Sequence, residues 1–409
     1  MSMNQKAVVN SIGSLVVFFA QWLISVFLIR TSGFEDAGIF SLAMSISNVF
    51  SFFANYNIRN YQISDIRKEY GQNQYFHARI ITVLCSFIFC ILYLQTASGY
   101  ERETKYAILI YLAYSNINVI SDVMLGSLQI RGRLDVNGYS NILRGIVCFT
   151  AFAAAYRMKN LLLSLGAMAT ADFVMTMACD VRLYRKLEGK IRLPEKRDIR
   201  AAGGILKCCF WLMLSNMFPI ITTAVPRRKI QLLCGEEALG IFSGIFNPTV
   251  LITTLAPALI LSVIPLITDC WNRKEKKKFI SVVCKCYLLC ALITAAAEIM
   301  ALICGKPVMK LVFGESILPY YNLLYWAIAV TGINAMTSCG NAVLIPMRKN
   351  RLVAAAALLS MLYTVCCSGR LIRMYDLKGA VYALLSAYLI QVLIQAGAII
   401  YYMKKKEED

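Results

Sequence analysis

Apolar residues do not alternate with polar ones along this chain. They run in blocks of about 20 residues, the length of helix that crosses ~30 Å of hydrocarbon. The blocks fall near residues 8–29, 38–58, 79–98, 106–128, 138–156, 160–181, 203–226, 238–268, 280–303, 320–346, 352–369 and 379–403. This pattern predicts an all-α polytopic membrane protein of about 12 transmembrane helices. The first block lacks a small-residue cleavage site, so it is expected to stay as the first span.

Composition strengthens that reading. Of 409 residues, 58% are hydrophobic and only 16% charged, with a mean hydropathy of +0.60. A soluble enzyme of this length carries about a quarter charged residues. The 15 cysteines lie mostly inside the apolar blocks and act there as small hydrophobes. No paired CxxC motif is present and His77 is the single histidine, expected at the surface, so no metal site is predicted. GxSxG, Walker A and GxGxxG motifs are absent, which argues against an enzyme. No cofactor is predicted. Active transport would draw on a proton or sodium gradient rather than ATP.

The net charge of +19 is distributed unevenly. With the N-terminus inside, the inside segments hold 27 Lys and Arg and the outside loops 13. The bias places both termini in the cytoplasm. It assigns the excess charge to topology and anionic lipid rather than to nucleic acid.

The longest inside segment, 182–207, lies at mid-chain and contains Pro194. It suggests an N-terminal six-helix lobe over 1–190, a cytoplasmic linker over 191–202 and a C-terminal six-helix lobe over 203–409. Gly33-Phe-Glu35-Asp-Ala-Gly38-Ile39-Phe40-Ser41 opens the second span, and Gly235-Glu-Glu237-Ala-Leu-Gly240-Ile241-Phe242-Ser243 opens the eighth. Six of the nine positions match at an offset of 202. Arg131–Leu134 and Arg348–Leu352 form a weaker echo. Duplication of a six-helix unit predicts two parallel lobes around a central cavity.

Six spans carry polar residues at helical spacing, hence on one face. They are Asn10, Ser14, Gln21 and Ser25; Ser41, Ser45, Asn48, Asn55 and Arg59; Tyr111, Ser115, Asn118, Asp122 and Gln129; Asn137, Asn141 and Arg144; Ser243, Asn247 and Thr254; and Asn334, Ser338 and Asn341. Interhelical hydrogen bonding accounts for any one stripe. Together they predict a wet cavity lined by Gln21, Asn48, Asn55, Asn118, Asn141, Asn247 and Asn334. Ionisable groups at membrane depth cost at least ~2.5–3.5 kcal/mol and so face a cavity or a partner. Asp122 and Arg144 lie on neighbouring spans, which suggests either an ion pair or a phosphate-binding Arg144. Asp122, Asp172 and Glu298 are the ion-coupling candidates. Asp180 and Lys285 are expected near the cytoplasmic interface. Arg30 and Arg59, at opposite ends of the first two spans, suggest either snorkelling anchors or an electropositive path for an anionic headgroup. The segment from Asn60 to Ala78, with Tyr61, Tyr70 and Tyr75 among Arg67 and Lys68, reads as interfacial.

The paired Gly-x-Glu-x-x-Gly-Ile-Phe-Ser segments resemble the loop-to-helix signature of the bacterial polysaccharide flippases. These belong to the multidrug/oligosaccharidyl-lipid/polysaccharide exporter superfamily. The run Leu251–Asp269 with Pro257 and Pro265, Val312–Glu315, Pro346–Arg351 and Gly379-Ala380 are similar to other parts of that family. The resemblance covers nearly the whole chain. It implies alternating access and a polyprenyl-pyrophosphate-linked oligosaccharide substrate, moved from the cytoplasmic to the outer leaflet of the inner membrane for a capsule, O-antigen or similar glycan. Membrane lipids are implied partners, with a polysaccharide polymerase and chain-length proteins nearby. Many members carry an acidic-basic pair after the seventh span. This chain reads Pro226-Arg227-Arg228-Lys229, so no role for an acidic residue there transfers. An ion-coupled multidrug exporter of the same superfamily is the nearest alternative. A membrane-embedded glycan polymerase is a further one, disfavoured by the short outside loops.

Overall fold

A computed structural model describes residues 3–65, 69–189, 192, 194–249, 252–253, 260, 263–273, 275–347 and 349–408. Arg67, Lys68, Thr254, Pro257 and Arg348 lie outside the described residues. All the regular elements among the described residues are helical. Nine of those helices are long and apolar enough to cross a membrane. Three of the nine contain a break: Phe34–Ser64 at Tyr56 and Asn57, Lys196–Phe246 at Gly235 and Asn350–Glu408 at Asp376, where the backbone leaves helical geometry. Trp211, Leu302, Ile303 and Leu311 are exposed. A water-soluble fold would cover such side chains, whereas lipid solvates them.

The chain forms two compact units, Met1–Met217 and Phe218–Asp409. Unit one contains α1 (Met3–Thr31), α2 (Phe34–Asn55), α3 (Ile58–Ser64), α4 (Gln72–Thr96), α5 (Arg102–Ile130), α6 (Leu134–Ala155), α7 (Leu161–Met175), α8 (Val181–Glu188) and the first part of α9 (Lys196–Phe246). Its boundary falls inside α9 rather than in the 191–202 segment. Ala202, Ile205, Cys209 and Met213 explain this, because they bury against Tyr56, Ile58, Tyr75, Ala78 and Val123.

Small residues set the closest approach. A Cβ on Gly138 of α6 would stand 2.4 Å from the carbonyl oxygen of Val9, and one on Gly13 of α1 would stand 2.4 Å from that of Gly138. The two backbones therefore touch, as expected where lipid offers no hydrophobic drive and packing must supply association. Asn137 donates to Asn10 Oδ1 beside this contact at 2.5 Å. Elsewhere in the unit Phe40 meets Tyr111 and Phe152 edge-on, with centroids 5.7 and 6.1 Å apart.

Unit two contains the remainder of α9 and the helices Ile264–Asn272, Lys276–Phe313, Asn322–Leu344 and Asn350–Glu408. Gln395 donates to Asn341 Oδ1 at 2.8 Å, beside Gly340.

The two matched segments share more than sequence. Gly33 has φ 92° and ψ −163°, and Gly235 has φ 90° and ψ 177°. A side chain is strained at such a positive φ, which accounts for glycine in both copies. The following positions also agree in burial: Ile39 and Ile241 at 5% exposure, Phe40 and Phe242 at 0% and 1%, Ser41 and Ser243 at 1% and 2%.

Candidate functional site

Two residues in the left-handed region, Tyr56 and Asn57, separate α2 from α3. The break leaves the last carbonyls of α2 without intrahelical donors. Arg79 of α4 supplies them: Nη1 donates to the carbonyls of Ala54, at 3.0 Å, and of Asn55. Thr82 Oγ1 donates to Ala54 O at 2.6 Å. Arg79 is wholly buried, and its Nε and Nη2 have no hydrogen-bond acceptor among the described residues. Such orphaned donors cost about 1–3 kcal/mol each.

The break aims a row of polar side chains into a cavity of about 460 Å³ in unit one. Phe52, Asn55, Asn57, Arg59, Asn60, Ile63, Asp122, Gln129 and Asn216 line it. Arg59 Nη1 pairs with Asp122 Oδ1, and Nη2 donates to Gln129 Oε1 at 2.8 Å. Asp122 Oδ2 lies 3.6 Å from Arg79 Nη2. Arg59 and Asp122 keep 20% and 23% side-chain exposure. With both arginines and Asp122 ionised, two cations share one carboxylate: Arg59 and Asp122 pair at the cavity wall, and the surplus positive charge sits behind it on buried Arg79. Amide groups and an aromatic face complete a surface suited to a polar, anionic, hydroxyl-rich headgroup.

A second cluster lies deeper. Arg144 Nε stands 2.7 Å from Asp172 Oδ1, a close ion pair in which the N–H is not aligned with the oxygen. Arg144 Nη2 donates to Asp180 Oδ2 at 2.8 Å and to Ser121 and Thr176 at 3.0 Å, and Nη1 donates to Asn118 Oδ1 at 2.9 Å. Asn118 donates to Asp172 Oδ2 at 2.7 Å, Ser121 to Asp180 Oδ2 at 2.5 Å and Ser140 to Asp180 Oδ1 at 2.9 Å. Arg144, Asp172 and Asp180 are 3%, 0% and 3% exposed. A wide π-turn over Thr176–Asp180 connects α7 to α8.

This geometry corrects several expectations. Arg144 does not pair with Asp122, because Asp122 faces Arg59 and Arg79 while Arg144 faces Asp172 and Asp180. Each Arg144 nitrogen already meets a protein oxygen, so it offers a ligand phosphate no open fork. Asp180 is not an interfacial snorkelling residue but a buried partner of Arg144. His77 is not at the surface: it is 6% exposed, its Nε2 lies 2.9 Å from Arg192 O and its Nδ1 3.8 Å from Asp198.

Of the predicted lining residues, Asn55 and Arg59 reach the cavity together with Asp122. Asn118 joins Arg144 instead. Gln21 and Asn141 are half-buried, Asn48 and Arg30 exposed, and none of these four lines the cavity. Asn247, Asn334 and Glu298 belong to unit two, where Asn334 Oδ1 accepts from Thr337 at 3.4 Å. Sequence reasoning did not single out Arg79, Asn57 and Asn216. Arg79 opens the apolar block 79–98, where an arginine reads as an interfacial anchor, so no separate signal in the sequence marked it.

A family profile described as "Polysaccharide biosynthesis protein" matches residues 3–271. The chain belongs to that family. The capsular polysaccharide biosynthesis protein CapF of Staphylococcus aureus is 22% identical over 316 residues, 76% of each protein. Among solved structures, the lipid II flippase MurJ in an inward closed conformation superposes with a TM-score of 0.74 at 12% identity, covering 96% of this chain and 87% of that one. An inward-facing multidrug resistance transporter of the MATE family superposes with a TM-score of 0.66 at 14% identity, covering 99% and 96%. This member of the polysaccharide biosynthesis family therefore has the transporter fold that MurJ and MATE proteins share. The site described above falls within the residues that the family profile matches.

Proposed function

We propose that this protein is a flippase for a lipid-linked oligosaccharide with a pyrophosphate headgroup. It would turn that headgroup from the cytoplasmic to the outer leaflet of the bacterial inner membrane by alternating access, with both termini cytoplasmic. The observation that carries the proposal is the Arg59 cavity: an amide-lined hollow with one guanidinium on its wall and a second, that of Arg79, buried behind Asp122, in a chain of the polysaccharide biosynthesis family. A guanidinium offers a donor fork matched to phosphate oxygens. The amides of Asn55, Asn57, Asn60, Gln129 and Asn216 suit sugar hydroxyls. The prenyl tail would stay in lipid. Any ion coupling would run through a proton or sodium gradient. A cationic drug is a poor fit to a cavity with one guanidinium on its wall and another buried behind it.

Proteoliposomes test the reading. A fluorescent prenyl-pyrophosphate-linked disaccharide should become accessible to an externally added glycosidase only when the protein is present. Arg59→Ala should remove that exposure at unchanged protein level. Transport of an organic cation with no exposure of the lipid-linked sugar would replace this reading with that of a drug exporter.

A further inference from the structure

We infer that Arg59 is the pyrophosphate-binding guanidinium of this cavity, with Arg79 buried behind it, and that Asp122 is the built-in competitor, pairing with Arg59 until a ligand anion displaces it towards Arg79. The inference rests on the proposed headgroup reading of the cavity and adds how that site exchanges anions.

Three observations converge on it. Asp122 sits between two arginines that differ in access. Arg59 lines the cavity and is partly exposed, whereas Arg79 is wholly buried behind it. Arg59 meets Asp122 through Nη1 and Gln129 through Nη2 on the cavity side, so Asp122 is the anion with which a phosphate approaching Nη1 competes. Arg79 already has a place for the displaced carboxylate. Its Nε and Nη2 lack acceptors, and Asp122 Oδ2 stands 3.6 Å from Nη2, just beyond hydrogen-bond distance. A small side-chain rotation would let Asp122 leave Arg59 and satisfy the buried guanidinium. One carboxylate thus serves either arginine. A bound phosphate oxygen on Arg59 restores the charge balance that the carboxylate gave up.

The exchange has a directional consequence. With no ligand, Asp122 neutralises Arg59 at the cavity wall. With ligand, Asp122 neutralises Arg79, which holds the end of α2 by its carbonyls. Headgroup binding is thereby tied to the α2–α3 break rather than to an isolated side chain.

The test uses the full-length detergent-purified protein with two probes, inorganic pyrophosphate and farnesyl pyrophosphate, read by calorimetry. Asp122→Asn removes the competitor but keeps the shape. It should bind both probes about tenfold tighter or more, since a charge-assisted contact no longer has to be broken. Adding Arg79→Gln to Asp122→Asn should cancel part of that gain. Equal or weaker binding by Asp122→Asn, in a wild-type protein that does bind the probes, overturns the competitor and leaves the headgroup site standing. A gain confined to the farnesyl probe also overturns it, because a freed Arg59 must favour either anion. Failure of both proteins to bind either probe sinks the site and the competitor together. Should Asp122→Asn not fold, infrared difference spectra of wild type carry the test. Pyrophosphate should shift a carboxylate stretching band, and the charge-preserving Asp122→Glu should move that band. A difference spectrum without a carboxylate change overturns the exchange.

Discussion

Unit one holds two arginine–aspartate clusters built on the same helix, α5, and they have opposite characters. At one, Arg144 serves two carboxylates, so the formal balance is one negative charge, and the members are at most 3% exposed. At the other, Arg59 and Arg79 share Asp122, so the balance is one positive charge, and the cluster borders a cavity of about 460 Å³. The first is closed to any ligand: apart from the misaligned contact of Arg144 Nε with Asp172 Oδ1, its charged atoms hydrogen-bond to one another, to Asn118 and to the hydroxyls of Ser121, Ser140 and Thr176. The second is open and carries donors without acceptors. Buried ion pairs seldom add net stability, yet breaking one is costly. A closed cluster is thus suited to fixing how α5, α6 and α7 pack, and an open one to exchanging partners.

The largest expected effect is on the closed cluster. Arg144→Ala strands two buried carboxylates and should cost about 3–5 kcal/mol. It should appear as lost folded protein in detergent size-exclusion chromatography. Asp122→Ala should not rescue it, because Asp122 belongs to the other cluster. Combining Arg144→Ala with Asp172→Ala and Asp180→Ala should restore part of the loss, since no orphaned charge then remains. Rescue by Asp122→Ala would merge the clusters and remove the contrast.

Arg59→Ala should do the reverse. Folded yield and melting temperature should stay near wild type, while lipid exposure in proteoliposomes falls by roughly 10- to 100-fold, the worth of one charge-assisted contact. A loss of fold as severe as that of Arg144→Ala would make the open cluster structural as well. Asp180→Asn should rank next. It keeps the hydrogen bonds of Ser121 and Ser140 within reach but removes one negative charge, so Arg144 still has Asp172. A melting shift smaller than that of Arg144→Ala is expected, with transport retained in the folded fraction.

The polytopic all-helical fold was legible because length and hydropathy of a span are local properties. The repeat was legible because glycine at positive φ leaves a mark in sequence, as at Gly33 and Gly235. The pairing of charges was not. The stripe Asn118, Asp122 and Gln129 reads as one face, yet Asn118 turns to Arg144 while Asp122 and Gln129 turn to Arg59. A stripe about one helical face wide can serve two neighbours, and periodicity does not divide it. Asp172 and Asp180 would lie roughly 80° apart on an uninterrupted helix of 3.6 residues per turn. The wide turn over Thr176–Asp180 lets both meet one guanidinium, and such a turn has no clear sequence signature. Arg79 acquired its role from the break after Asn55, where Tyr56 and Asn57 interrupt a pattern that reads as continuous helix.

The smallest expected effect sharpens the contrast most cleanly. Asn60 lines the cavity, is exposed, and donates to Asn57 Oδ1 at 2.5 Å. It touches neither arginine cluster through a recorded ion pair. If the open cluster is the pyrophosphate end of the site, Asn60 and Asn216 should contact the sugars rather than the charge. Asn60→Ala should then weaken the lipid-linked disaccharide severalfold, the worth of one neutral hydrogen bond at about 0.5–1.5 kcal/mol. It should leave inorganic pyrophosphate binding and the melting temperature unchanged. Arg59→Gln should weaken both ligands. Competition between the two ligands in each variant separates these outcomes. Equal weakening of both ligands by Asn60→Ala would mean that the amides hold the anion too, and the cavity would then have one undivided function.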